Sequence, residues 1–113
     1  MLSQLKSLTD SLLVLAASAD AQLAYLAKLG RPGLIDELAL EFDDIAASAN
    51  FLFDAGVLNK EQCECVRNLN AFLRKFGGDA NSVLWTSEAL RMSDEWKRVR
   101  VLARDCLSLF QPT

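Results

Sequence analysis

The chain has no histidine among its 113 residues, which removes the side chain most often used as a general base and as a metal ligand. Glycine and proline are scarce, at five and two, and no low-complexity run occurs. A chain so poor in breakers is expected to fold, not to remain disordered. No apolar run approaches the about 20 residues that a membrane span needs. A G-x-S-x-G elbow, a glycine-rich phosphate loop and a helical His-Glu zinc motif are all missing. No catalytic residue, cofactor or metal is therefore expected.

The most telling absence is of positive charge. The 28 residues from Pro32 to Asn59 contain no Lys or Arg, yet carry Asp36, Glu37, Glu41, Asp43, Asp44 and Asp54. The whole chain is only −3, so this segment at −6 leaves the remainder at +3. Charge is segregated along the sequence. A pI near 4.8 argues against a general nucleic-acid binder, which needs a basic surface to meet phosphates. A basic partner is the better fit.

What is present points to helix. Hydrophobic residues make up 51% of the chain, and Ala, Leu, Glu, Lys and Arg, all good helix formers, are abundant. The length suits one domain, residues 1–113, able to bury a core without disulfides or a structural metal. Leu5, Leu8, Leu12, Leu15, Ala16, Ala19, Leu23 and Leu26 recur at three- and four-residue steps, predicting one helix over Leu2 to Leu29. Gly30 and Arg31-Pro32-Gly33 end it. A second helix from Leu34 to Ala55 would bury Ile35, Leu38, Phe42, Ile45, Ala49, Leu52 and Phe53, with Gly56 as its stop.

Asn59 with Gln62 forms a capping box for a third helix carrying Cys63, Val66, Leu69, Leu73 and Phe76. Gly77-Gly78-Asp79 breaks the chain, and a loop is expected up to about Val83. A short helix is predicted over Ser87 to Met92. Ser93 then caps a last helix with Asp94 and Glu95 in its first turn, and Pro112 marks its end. The expected architecture is all-α, a bundle of four main helices plus one short helix.

Lys6, the apolar run Leu12 to Ala17 and Ala17-Ser18-Ala19 superficially resemble a signal peptide and its cleavage site. Asp10 interrupts that pattern, and the helical spacing continues through Leu23 and Leu26. An uncleaved structural helix and a cytoplasmic location are expected. Cys63, Cys65 and Cys106 are then read as free thiols and small core hydrophobes. Cys63 and Cys65, two apart, point about 200° away from each other on a helix, and no His completes a zinc set, so the core reading is favoured over a shared metal.

On a helical wheel the six acids of the second helix lie opposite its apolar arc. Glu37 and Glu41 stand as like charges at i,i+4, an arrangement that costs about 0.2–0.5 kcal/mol when unrelieved. Two uses remain open. The acids are answered inside the protein by cations after Asn59, such as Lys60, Arg67, Arg74 or Arg100, or they face outward to meet a basic surface. An outward face would raise the association rate and mimic a nucleic acid towards, for example, a nuclease. Reversing Glu37 and Glu41 would then slow binding.

Arg100 falls within the apolar arc of the last helix, 40° from Trp96 by the wheel at about 100° per residue. Its charge persists when buried, so a structural clamp is expected, with its stem on Trp96 and an acid from another helix as partner. Trp85, beside the loop, is read as a core or lid residue, with an interface role as the alternative.

Asn81-Ser82-Val83-Leu84-Trp85-Thr86-Ser87-Glu88-Ala89-Leu90, followed by Glu95-Trp96-Lys97-Arg98-Val99-Arg100-Val101-Leu102-Ala103, resembles the small all-helical immunity proteins of bacterial contact-dependent inhibition and related polymorphic toxin systems. The similarity covers residues 80–107. It implies a protein that binds and neutralises a cognate toxin C-terminal domain, with no reaction of its own; no nucleic-acid or membrane partner is expected from the acidic pI and the short apolar runs. Trp85, Trp96 and Arg100 match the pattern as scaffold. Asp36, Glu37, Glu41, Asp43, Asp44 and Asp54 are assigned to the partner by the charge argument alone. A dimerising helical regulator or adaptor is the alternative.

Overall fold

The computed structural model describes residues 2–77 and 79–110. Gly78 and Pro112, expected to break and to end helices, lie outside the described residues. The chain folds as an all-helical bundle: α1 (Leu2–Ala16), α2 (Ala19–Lys28), α3 (Asp36–Ala46), α4 (Ala49–Asp54), α5 (Lys60–Lys75), a 3-10 turn (Asp79–Trp85), α6 (Ser87–Met92) and α7 (Asp94–Ser108). No helix among the described residues is long and apolar enough to cross a membrane.

The single helix expected over Leu2 to Leu29 is divided. Ser18 leaves helical geometry at ψ 159° and its hydroxyl accepts a bond from the Ala21 N–H, capping α2. The Gln22 amide nitrogen donates to the Val14 and Leu15 carbonyls at 3.1 and 3.0 Å. Those carbonyls belong to the last turn of α1, where the helix ends; Val14 also accepts the Ala17 N–H at 3.3 Å, so the Leu15 carbonyl depends most on Gln22. Both halves still face one core, with Leu8, Leu12, Leu15 and Leu26 buried, so the apolar spacing runs through the break unaltered.

The second expected helix divides at Ala47-Ser48, where the Ser48 hydroxyl donates back to the Ile45 carbonyl at 2.7 Å. Such back-bonding bends helices. The core phase is largely kept, with Ala49 and Leu52 fully buried as expected, but Phe53, also expected in the core, is 43% exposed. Gly30 and Gly56, at φ 78° and 79°, end α2 and α4 as predicted. In each case the residue after glycine bonds back into the helix, Arg31 to Leu26 and Val57 to Leu52, which is the Schellman arrangement.

α5, α6 and α7 follow expectation, with the Asn59–Gln62 capping box and the Ser93 cap both formed. The stretch expected as loop up to Val83 is instead the 3-10 turn. α7 is the central element, packing on α1, α5 and α6, while α3 lies against α1 and α5. Trp96, Val99, Ala103 and Cys106 of α7 are fully buried.

Cys65 and Cys106 form a disulfide between α5 and α7, with Cα atoms 5.6 Å apart. This corrects the reading of three free thiols. Cys63 alone is free, buried against the Ala49 carbonyl and Asn50 of α4. The divergence of Cys63 and Cys65 around α5 holds, and it is what turns Cys65 to α7 while Cys63 faces α4.

The scaffold residues form one cluster. Trp96 donates its indole N–H to the Leu84 carbonyl at 2.7 Å, and half-buried Trp85 donates to the Phe76 carbonyl at 2.8 Å. Phe76 stacks on Trp85 with ring centroids 5.2 Å apart, and both meet Trp96 edge-on. Arg100 is 8% exposed, and its partners correct the expected ion pair. Its Nη1 donates to the Leu90 carbonyl at 2.9 Å and to Gln22 Oε1 at 3.2 Å. No acid pairs with it among the described residues. Burial first, and Arg104 second, push its guanidinium below the ordinary arginine value.

Candidate binding groove

The six acids do not act as one surface. Three are engaged within the protein. Glu37 pairs with Arg31 at 3.2 Å, and Glu41 Oε1 accepts the Tyr25 hydroxyl at 2.5 Å. Asp43 Oδ1 takes three donors: Asn70 Nδ2 at 2.8 Å, Arg74 Nε at 3.0 Å and Arg74 Nη2 at 2.6 Å. The Asn70 amide, followed by Arg74, lowers the Asp43 carboxyl below its usual value. Asp36, Asp44 and Asp54 are exposed and have no ion pair or side-chain hydrogen bond among the described residues.

This division follows from chain geometry. Glu37 lies one turn past the turn that holds Arg31, so its pairing is local. Glu41 and Asp43 stand on opposite flanks of α3, one beside α2 and the other beside α5, where Tyr25 and Arg74 wait. Asp36, Asp44 and Asp54 meet no cation that comes within pairing distance.

The seam between α3–α4 and α5 is open along its length as three adjoining clefts. At one end a cleft of about 580 Å³ is lined by Asp36, Leu40 and Asp43 of α3, Asn70 and Arg74 of α5, and Trp85. The middle cleft shares Asp43, Asn70 and Arg74 and adds Asp44 and Arg67. The last shares Arg67 and runs to Phe53, Asp54 and Lys60. One wall is thus acidic and the other, on α5, is basic.

Large apolar side chains are exposed beside the acids: Leu34 at 49%, Leu40 at 54%, Phe51 at 52% and Phe53 at 43%. Residues 34–54 therefore combine exposed hydrophobes with carboxylates that have no ion pair among the described residues. Asn70, Arg67 and Arg74 escape sequence reasoning as site residues. Their spacing at i, i+3 and i+7 on α5 is the one sign that they share a face.

No family model, curated protein or solved structure matches the chain.

Proposed function

We propose that this chain is an immunity protein, a non-enzymatic inhibitor that binds the C-terminal domain of a cognate toxin through the α3–α4 surface. The observation that carries the reading is the set Asp36, Asp44 and Asp54, exposed and in no ion pair among the described residues, next to exposed Leu40, Phe51 and Phe53. Carboxylates of this kind speed encounter with a basic surface, and the apolar side chains then supply contact area. A nuclease domain, whose own substrate is a polyanion, offers the basic surface required.

The dimerising adaptor is less well supported. A two-fold interface on this face would set each acidic patch against its own copy, and like charges opposed across an interface are costly.

The test is binding and growth protection against a panel of purified bacterial toxin domains. For the domain that binds, joint replacement Asp36→Lys, Asp44→Lys and Asp54→Lys is expected to cut the association rate at least tenfold and to reduce its salt dependence. Glu37→Gln is expected to have little effect, because Arg31 already holds that carboxylate. Undiminished association of the triple variant would overturn the assignment of this face.

A further inference from the structure

The cleft between α3, α5 and the 3-10 turn contains more acceptors than its own donors satisfy. All three bonds to Asp43 fall on Oδ1, leaving Oδ2 without a donor among the described residues. Asp36, on the same cleft, has no ion pair among the described residues. Asn70 Oδ1 is buried and has no hydrogen-bond partner. The amide cannot simply be turned to relieve this, because its nitrogen faces the Asp43 carboxylate and reversal would set oxygen against oxygen. A buried acceptor left unsatisfied costs about 1–3 kcal/mol, so it needs an explanation.

Charge and shape then specify what fits. Among the described lining residues, Asp36 and Asp43 against Arg74 leave a net −1, which favours an added positive charge. Leu40, Leu73 and Trp85 line the same space, offering an apolar path for a methylene stem and an aromatic surface for a flat cation. A guanidinium matches both requirements: it has five N–H donors in one plane and stacks on indole, whereas an ammonium has three donors and no plane.

We propose that this cleft is a receptor for one arginine side chain presented by a protein partner. The guanidinium bonds Asp36 and Asp43 Oδ2 with its plane against Trp85, offers a further N–H to Asn70 Oδ1 once that atom is uncovered, and lays its stem along Leu40. The inference rests on the binding role proposed above only for who supplies the arginine. The cleft itself is testable on the protein alone.

The probes are N-butylguanidinium, pentanoate as a stem of like length with opposite charge, and the capped peptides acetyl-Gly-Arg-Gly-amide and acetyl-Gly-citrulline-Gly-amide, titrated into isotope-labelled protein. Saturable shifts of the Asn70 side-chain amide and the Trp85 indole N–H are expected with N-butylguanidinium and with the arginine peptide. Pentanoate and the citrulline peptide are expected to leave both signals in place. Asp36→Asn and Leu40→Ser, each at an exposed position, are expected to weaken binding about three- to tenfold without unfolding the chain.

Equal shifts with pentanoate, or unchanged affinity in both variants, would overturn the site. Binding of N-butylguanidinium but not of the arginine peptide would overturn the protein side chain as its occupant. Failure here leaves the charge-reversal test of the α3–α4 face unaffected, and a failed charge reversal leaves this titration unaffected, so the two readings fall separately.

Discussion

Arg100 Nη1 meets Gln22 Oε1 at 3.2 Å across the bundle, joining residues 78 positions apart in the chain. Gln22 is fully buried, and its amide nitrogen at the same time holds the Val14 and Leu15 carbonyls at the end of α1. One side chain therefore joins the α1–α2 break to α7. The oxygen side accepts from a cation and the nitrogen side donates to carbonyls, so the amide's two ends are both used. A glutamate here would lose the donors, and a leucine would lose everything but volume.

Truncating either partner is expected to be costly because the groups left behind stay buried. Gln22→Ala strands the Leu15 carbonyl and one guanidinium N–H, takes one of two donors from the Val14 carbonyl, and is expected to destabilise by about 2–3 kcal/mol. Arg100→Ala leaves the Leu90 carbonyl unpaired, opens space beside Trp96 and is expected to cost a similar amount. In urea unfolding, the double variant should lose less than the sum of the two by about 0.5 kcal/mol or more. Strict additivity would mean that the bond contributes nothing.

Tyr25 is the only tyrosine of the chain, so its ionisation can be followed directly by ultraviolet absorbance. Burial, then the hydrogen bond to Glu41 and that carboxylate's charge, push its phenol up from 10.0 to about 12. A raised folded pKa means that the contribution to stability is fully present below about pH 10 and is lost as pH rises through about 12. The folded protein is expected to titrate near 12 and the urea-unfolded protein near 10. Glu41→Gln should bring the folded midpoint down. A folded midpoint at 10 would show that Glu41 is not engaged by Tyr25, returning it to the set of free surface acids.

Much of the bundle is legible in the sequence because local chemistry decides it. The Asn59–Gln62 box, the Ser93 cap and the glycines at 30 and 56 act within a turn or two of themselves, and each ends or starts a helix as read. The breaks at Ser18 and Ser48 are less visible. A serine inside an apolar-periodic run is ambiguous between surface position and cap, and in α1–α2 the spacing keeps phase through the break. What requires the tertiary fold stays hidden: Arg74 and Asn70 reaching Asp43 from 31 and 27 residues away, Gln22 in place of an acid beside Arg100, and Cys106 opposite Cys65. The charge segregation marks the stretch that carries the exposed Asp36, Asp44 and Asp54. It cannot say that Glu37, Glu41 and Asp43 are answered from within, since that depends on which flank of α3 each neighbour helix covers.

The Cys65–Cys106 bridge closes a loop of 41 residues between α5 and α7. Cross-links of this kind contribute about 2–4 kcal/mol, chiefly by restricting the unfolded chain. In denaturant without reductant the protein is expected to release one reactive thiol, Cys63, and after reduction three. Cys65→Ser with Cys106→Ser should lower the urea midpoint while leaving the helical spectrum intact, since Trp96, Val99 and Ala103 still hold α7. Three reactive thiols before reduction would remove the bridge from the account.

Asp43 ties α3 to α5 through Asn70 and Arg74, and its carboxyl is held below the ordinary value of 3.8. A depressed folded pKa gives stability that is present above about pH 4 and is lost as pH falls through the lower folded value. The Arg74 side chain is 70% exposed and the Asp43 side chain 37% exposed, so solvent screens the ion pair and the Asn70 amide bond carries more of the effect. Asp43→Asn is therefore expected to flatten the acid limb of the stability curve below pH 4 and to lower stability modestly at pH 7. Adding 0.5 M sodium chloride should change the wild-type acid limb only slightly if the amide bond dominates, and markedly if Arg74 does. An acid limb identical in wild type and Asp43→Asn would show that α3 is held to α5 by the apolar contacts of Leu38, Phe42 and Leu73 alone, with the carboxylate free to serve the groove.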